Sequence, residues 1–119
     1  MLIEICNNYN EYFNAPRVNT KHYSNERSSR KNFIVDEIGI GNVIDAFIVD
    51  RYHYEGPEVH ILTSTGLILI YNLYSKRFIT VLIARPAQIE RYYVAIDENA
   101  PRAVLKIARE HVRNNYHNK

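Results

Sequence analysis

Residues 58–85, EVHILTSTGLILIYNLYSKRFITVLIAR, hold three apolar strand-like runs with short turns between them. EVHILTS reads as a strand broken at Thr65-Gly66, LILIYNL as a second and FITVLIA as a third. The run LILIYNL is apolar almost throughout, which marks a strand near the centre of a sheet with both faces covered. Tyr74-Ser75-Lys76-Arg77 makes the next link. Links this short join antiparallel neighbours, because a parallel return needs a long crossover. Just upstream, NVIDAFIVDRYH is β-rich and stops at the turn signal YEGP, adding one more strand. The stretch 42–85 therefore predicts a four-stranded antiparallel meander.

Working outward, residues 1–19 read as an extension in which MLIEIC is an edge strand and the Asn-rich NNYNEYFNAP a loop, with Pro16 opposing a helix there. Residues 20–41 read as helical: Thr20 caps a short helix from Lys21 to about Lys31, and FIVDEIGIG supplies a second, stopped by Gly39 or Gly41. Pro86 ends the sheet, and Ala87 to Tyr93 reads as a helical turn. Residues 97–116 form the C-terminal helix, capped by Asp97 or Asn99, with Val104, Leu105, Ile107, Ala108 and Val112 on its apolar stripe. The fold class is α+β, an antiparallel four-stranded meander with short N-terminal helices and a C-terminal helix packed on one face. At 119 residues the chain fits a single domain, 1–119.

No run approaches the ~20 apolar residues that span a bilayer, and MLIEIC lacks the length and basic leader of a secretory signal, so a cytoplasmic protein away from membranes is expected. One cysteine, Cys6, excludes an internal disulfide. His111 and His117 find no third ligand in the pattern, so neither metal nor cofactor is expected. A net charge of +2 does not coat nucleic acid by charge alone but permits a local basic patch. Ten tyrosines suit both half-buried sheet positions and stacking on bases.

Alternation along the strands puts Glu58, His60 and Leu62 on one face, and Phe78, Thr80 and Leu82 on one face of the last strand. With the all-apolar faces under the helices, His60 and Thr80 are expected together on the open side. His60 also reads simply as a strand histidine satisfied by Glu58. His22, Arg27 and Arg30 fall near one face if their segment is helical. Arg85, Arg91, Tyr92 and Tyr93 resemble a nucleic-acid contact patch, or equally a solvated charge run. Arg17 and His22 form an R-x4-H spacing used by a class of all-helical ribonucleases, which the strand-rich remainder does not fit.

KHYSNERSSRKNF, DEIGIGNVIDAFIVD, GPEVHILTSTGLILIYN and SKRFITVLIARP, taken in order, resemble the RelE-like branch of the Barnase–EndoU–Colicin–RelE nuclease group, nearest its short bacterial and phage members. The likeness covers roughly residues 21–86 and is one of order and spacing. It implies that the family's leading histidine falls on His22, its arginines on Arg27 and Arg30, and its late-strand hydroxyl on Thr80. The activity it implies is metal-independent RNA cleavage by a toxin or phage effector. A tyrosine-rich extension, the additional His60 and the long C-terminal helix depart from the family's pattern.

On that reading the 2′-hydroxyl of RNA attacks the adjacent phosphorus, with His22 and His60 sharing the base and acid roles. Arg27, Arg30 or Arg85 clamps the phosphate, Thr80 bonds a non-bridging oxygen, and Tyr92 or Tyr93 stacks on a base. The expected partners are RNA, with an antitoxin or host protein beside it. A non-catalytic mobile-element protein that binds a host protein or nucleic acid through tyrosine and arginine is the alternative, and a homodimer through the edge strand a third.

Overall fold

A computed structural model describes residues 1–13 and 38–114. Where the sequence implies four strands, the sheet has five: β1 (Leu2–Ile5), β2 (Val43–Asp50), β3 (Glu58–Thr63), β4 (Leu67–Asn72) and β5 (Arg77–Ile83), antiparallel in the order β1-β2-β3-β4-β5. The edge strand read at MLIEIC is thus part of the sheet, with Ile3 opposite Val49 and Ile5 opposite Phe47. A short helix, α1 (Asn10–Phe13), replaces the loop expected after it. The helical expectations for residues 20–37 lie outside the described residues.

Two helices follow the sheet, not one. Pro86 opens α2 (Pro86–Ala95) at the position where a missing N–H costs nothing, and the Arg85 N–H donates to Gln88 Oε1 at 3.2 Å. Asp97, in the left-handed region at φ 59°, closes α2 while the Glu98 N–H returns to the Tyr93 carbonyl at 2.9 Å. The second helix, α3 (Arg102–Val112), has Pro101 at its cap instead of Asp97 or Asn99. At its far end His111 Nε2 donates to the Thr65 carbonyl at 2.8 Å, pinning the helix to the β3–β4 turn.

Cross-strand partners define the faces. Phe47, His60, Ile70 and Thr80 form one row across β2 to β5. That face carries Val49, Leu62 and Ile68, and it packs against Ile89, Tyr92 and Tyr93 of α2 and Val104, Leu105 and Ala108 of α3. The opposite face gathers Cys6, Ala46, Val59, Ile61, Leu67, Leu69, Tyr71, Phe78, Val81 and Ile83, with Tyr9, Tyr12, Ile38 and Ile40 against them. Every residue of β4 is buried, as its continuous apolar run implies.

Two expectations about the faces change. The helices cover the mixed face that bears His60 and Thr80, not the all-apolar one, because an apolar remainder and one polar helix partner suffice to bury it. In β5, a register shift leaves Ile79 unpaired between Thr80 opposite Ile70 and Phe78 opposite Tyr71. Phe78 therefore sides with Val81 and Ile83, away from Thr80.

Candidate functional site

His60 is only 3% exposed, in the middle of the helix-covered face. Its Nε2 lies 2.8 Å from Glu58 Oε1 and its Nδ1 2.6 Å from the Tyr92 hydroxyl. An ionised carboxylate only accepts, so His60 Nε2–H donates to Glu58 and the Tyr92 O–H donates to Nδ1. In that tautomer both ring nitrogens are satisfied. The bond from His60 is the main reason the Glu58 carboxyl sits below its ordinary range; burial opposes it, and the nearby Arg51 charge assists. The Arg51 guanidinium stands 3.8 Å from the same Glu58 oxygen.

The ring of Tyr92 stacks on Phe47 at 4.8 Å between centroids, nearly parallel, and meets His60 edge-on. Burial pushes its phenol well above the ordinary value. Tyr93 points elsewhere: its hydroxyl donates to Asp45 Oδ2, and its ring meets Phe47 edge-on. Burial, then the Asp45 bond, raises its phenol in turn. Neither tyrosine offers a ring face to a base. The expected stacking role does not match where they lie, because both supply the apolar stripe of α2 that the sheet requires.

Thr80 shares the row of His60, separated from it by Ile70. Its hydroxyl oxygen is buried and has no hydrogen-bond partner among the described residues. Arg85 is exposed at the start of α2, where its backbone serves the helix cap. Arg91 is exposed one residue before Tyr92, and with Arg51, Gln88, His60 and Tyr92 it lines a cavity of about 60 Å³. His22, Arg27 and Arg30 lie outside the described residues. Of the residues expected at a site, then, His60, Tyr92 and Arg91 meet at one small cavity, while Thr80, Tyr93 and Arg85 stand apart. Among the described residues no three His, Cys, Asp or Glu side chains gather as a metal site would need.

A different feature stands at the end of the sheet where the β2–β3 loop and the β4–β5 turn meet. Tyr52, Tyr54 and Tyr74 are 73%, 86% and 70% exposed. Tyr52 and Lys76 adopt the left-handed region at φ 57° and 60°, sparsely populated for side chains this bulky. Asn72 ties the two loops together. Its Nδ2 donates to the Glu55 carbonyl at 3.0 Å, and its Oδ1 accepts the N–H groups of Tyr74 and Ser75. The Leu73 N–H reaches the Pro57 carbonyl at 3.0 Å, and the Tyr74 ring lies over Gly56. The His53 and Tyr54 rings lie against each other at a tilt, centroids 4.3 Å apart. Sequence reasoning passed over these tyrosines; the signal was aromatic residues set inside turn sequences, where burial does not account for them.

No family model matches the chain, and no curated protein or solved structure matches it.

Proposed function

We propose that this chain is a non-catalytic binding protein that seats a protein partner on the tyrosine-bearing end of its sheet. The observation that carries the proposal is the display of Tyr52, Tyr54 and Tyr74 on loops fixed by Asn72. Tyrosine and arginine are the residue types most often found at interface hot spots. A surface already held in place loses little conformational freedom on binding, which leaves more of the contact energy as affinity. Left-handed backbone at two non-glycine residues is the kind of local strain that gathers at recognition sites.

Charge favours a protein over a nucleic acid. Arg51, Lys76 and Arg77 stand at this end, but Asp50 and Glu55 stand among them. A phosphate chain would meet those carboxylates at close range. A protein surface of mixed sign can offer cations to the carboxylates and carboxylates to the cations.

The RelE-like ribonuclease reading stands second. One observation favours it, the convergence of His60, Arg91 and Tyr92 at a single cavity. Against it, His60 is closed beneath α2 with both nitrogens engaged, and Thr80 lies on the same covered face.

The discriminating experiment places a photo-crosslinking amino acid at position 54, identifies the crosslinked partner, and measures its affinity with purified components. A variant carrying Tyr52→Ser, Tyr54→Ser and Tyr74→Ser is expected to lose about 100-fold or more in affinity, given ~2 kcal/mol or more for each hot-spot residue. Purified wild type is expected to leave RNA intact. RNA cleavage abolished by His60→Ala, or partner affinity indifferent to the triple change, overturns the proposal.

A further inference from the structure

We propose that the cavity beneath Arg51 and Arg91 is a binding site for one phosphate-class oxyanion. It lies between the start of β1, the covered face of the sheet and the flank of α2, and it shares only Arg51 with the loop that carries Tyr52 and Tyr54. Its volume of about 60 Å³ suits a single tetrahedral oxyanion. Counted in the same way a single water needs ~10–15 Å³, so the space is that of a few waters or one small ion.

The lining divides into two halves. Ile3, Val49, Ile70 and Leu82 make the apolar floor, while Arg51, Gln88 and Arg91 bring donors to the rim. Among the described residues no carboxylate lines the cavity. The nearest on the face, Glu58, already takes a hydrogen bond from His60 and the weaker approach of Arg51 at 3.8 Å. The Arg91 side chain is exposed on α2 and lines the same cavity. Two arginines therefore line a cavity to which the described residues bring no carboxylate. Guanidinium is the side-chain group best shaped to grip a phosphate, through paired N–H donors in one plane. The apolar floor lowers the local dielectric, which strengthens that grip over what an exposed arginine pair gives in water.

At the back, His60 and Tyr92 give the cavity a polar wall in fixed orientation. Their bond makes the site a preformed one. An oxyanion seated there would sit beside the His60 ring, so that ring is a built-in reporter of occupancy.

The phosphate could be free or carried by a larger molecule, and the experiment has an arm for each. Full-length protein is titrated with inorganic phosphate, with adenosine 5′-monophosphate, and with sodium chloride at matched ionic strength, while NMR follows the His60 ring and the arginine Nε signals. Saturable one-site binding that shifts His60, Arg51 and Arg91 is expected for phosphate and not for chloride. Arg51→Gln and Arg91→Gln are each expected to weaken it at least tenfold, and Arg109→Gln on α3 to leave it unchanged. Tighter binding of the nucleotide than of inorganic phosphate assigns the site to a carried phosphate; equal binding assigns it to the free ion. A response that fails to saturate, matches that of chloride, or survives both Arg51→Gln and Arg91→Gln overturns the site. Thermal unfolding of each variant, expected within a few degrees of wild type because both side chains are exposed, separates lost binding from lost fold.

Discussion

The Tyr92 hydroxyl lies 2.6 Å from His60 Nδ1, so the imidazole at the centre of the sheet is closed by a helix that begins 26 residues after it. The row Phe47, His60, Ile70, Thr80 is apolar at two positions and polar at two, yet Phe47, His60 and Ile70 are buried and Thr80 is half-buried. What makes this tolerable is that the histidine is fully paired. A buried polar group with partners costs little; one without them costs its desolvation.

Tyr92→Phe keeps the stacking on Phe47 and removes only the bond to His60. The expected loss is about 1–3 kcal/mol, the penalty for a buried acceptor left without its donor. Urea unfolding of the two proteins at pH 7 measures it. A change near zero would mean that the imidazole finds another partner and that the closure is not what holds α2 over β3.

Thr80 is the reverse case. Its hydroxyl oxygen is buried with no partner among the described residues, so Thr80→Val exchanges that oxygen for a methyl group of the same shape. The substitution is expected to raise stability by about 1 kcal/mol, or at least not to lower it. A clear loss in the same unfolding experiment would show that the hydroxyl is engaged in solution, and would restore interest in it as a functional group.

How much of this was readable depends on how local the cause was. The runs EVHILTS, LILIYNL and FITVLIA carry their own strand signals, and Thr65-Gly66 and Tyr74 to Arg77 carry their own turns, so the meander was legible. The place of β1 was not, because its partner is more than forty residues away and MLIEIC says nothing about what it pairs with. The bulge at Ile79 was hidden for a different reason: β5 is apolar on both sides, so a slip of one residue leaves no polar mark in the pattern. The choice of covered face rested on a bond from His60 to a residue 32 positions later, which no local rule supplies. The pairing of His60 with Glu58, two apart on one strand face, was legible.

Stability should also depend on pH through Glu58. Its carboxyl is held below the ordinary value of 4.5, chiefly by the bond from His60, so the folded protein binds that proton less readily than the unfolded chain. A lowered folded pKa contributes stability above the unfolded value, and that contribution disappears as pH falls through the folded one. Glu58→Gln is therefore expected to lower stability at pH 7 and to flatten its decline below about pH 4.5. Unfolding free energies from pH 7 down to pH 3 measure the slope; parallel curves for the two proteins would remove Glu58 as a contributor.

Gly56 connects fold to proposed function at the tyrosine end. It sits at φ +88°, a conformation that side chains rarely adopt, and a Cβ added there would lie 2.6 Å from Tyr74 ring carbons. The backbone must strain and the ring must also leave. Gly56→Ala is expected to cost about 1 kcal/mol or more from the incompatible backbone alone. Because the displaced side chain is an exposed one, most of the further effect should fall on recognition and little on the core. The informative comparison is with Tyr74→Ser, which removes the ring and leaves the glycine. If the tyrosine end is the binding surface, both variants weaken the partner by a similar factor, while only Gly56→Ala loses stability in urea. If Gly56→Ala loses stability and both variants keep full affinity, Tyr74 is a lid on the loop and takes no part in recognition.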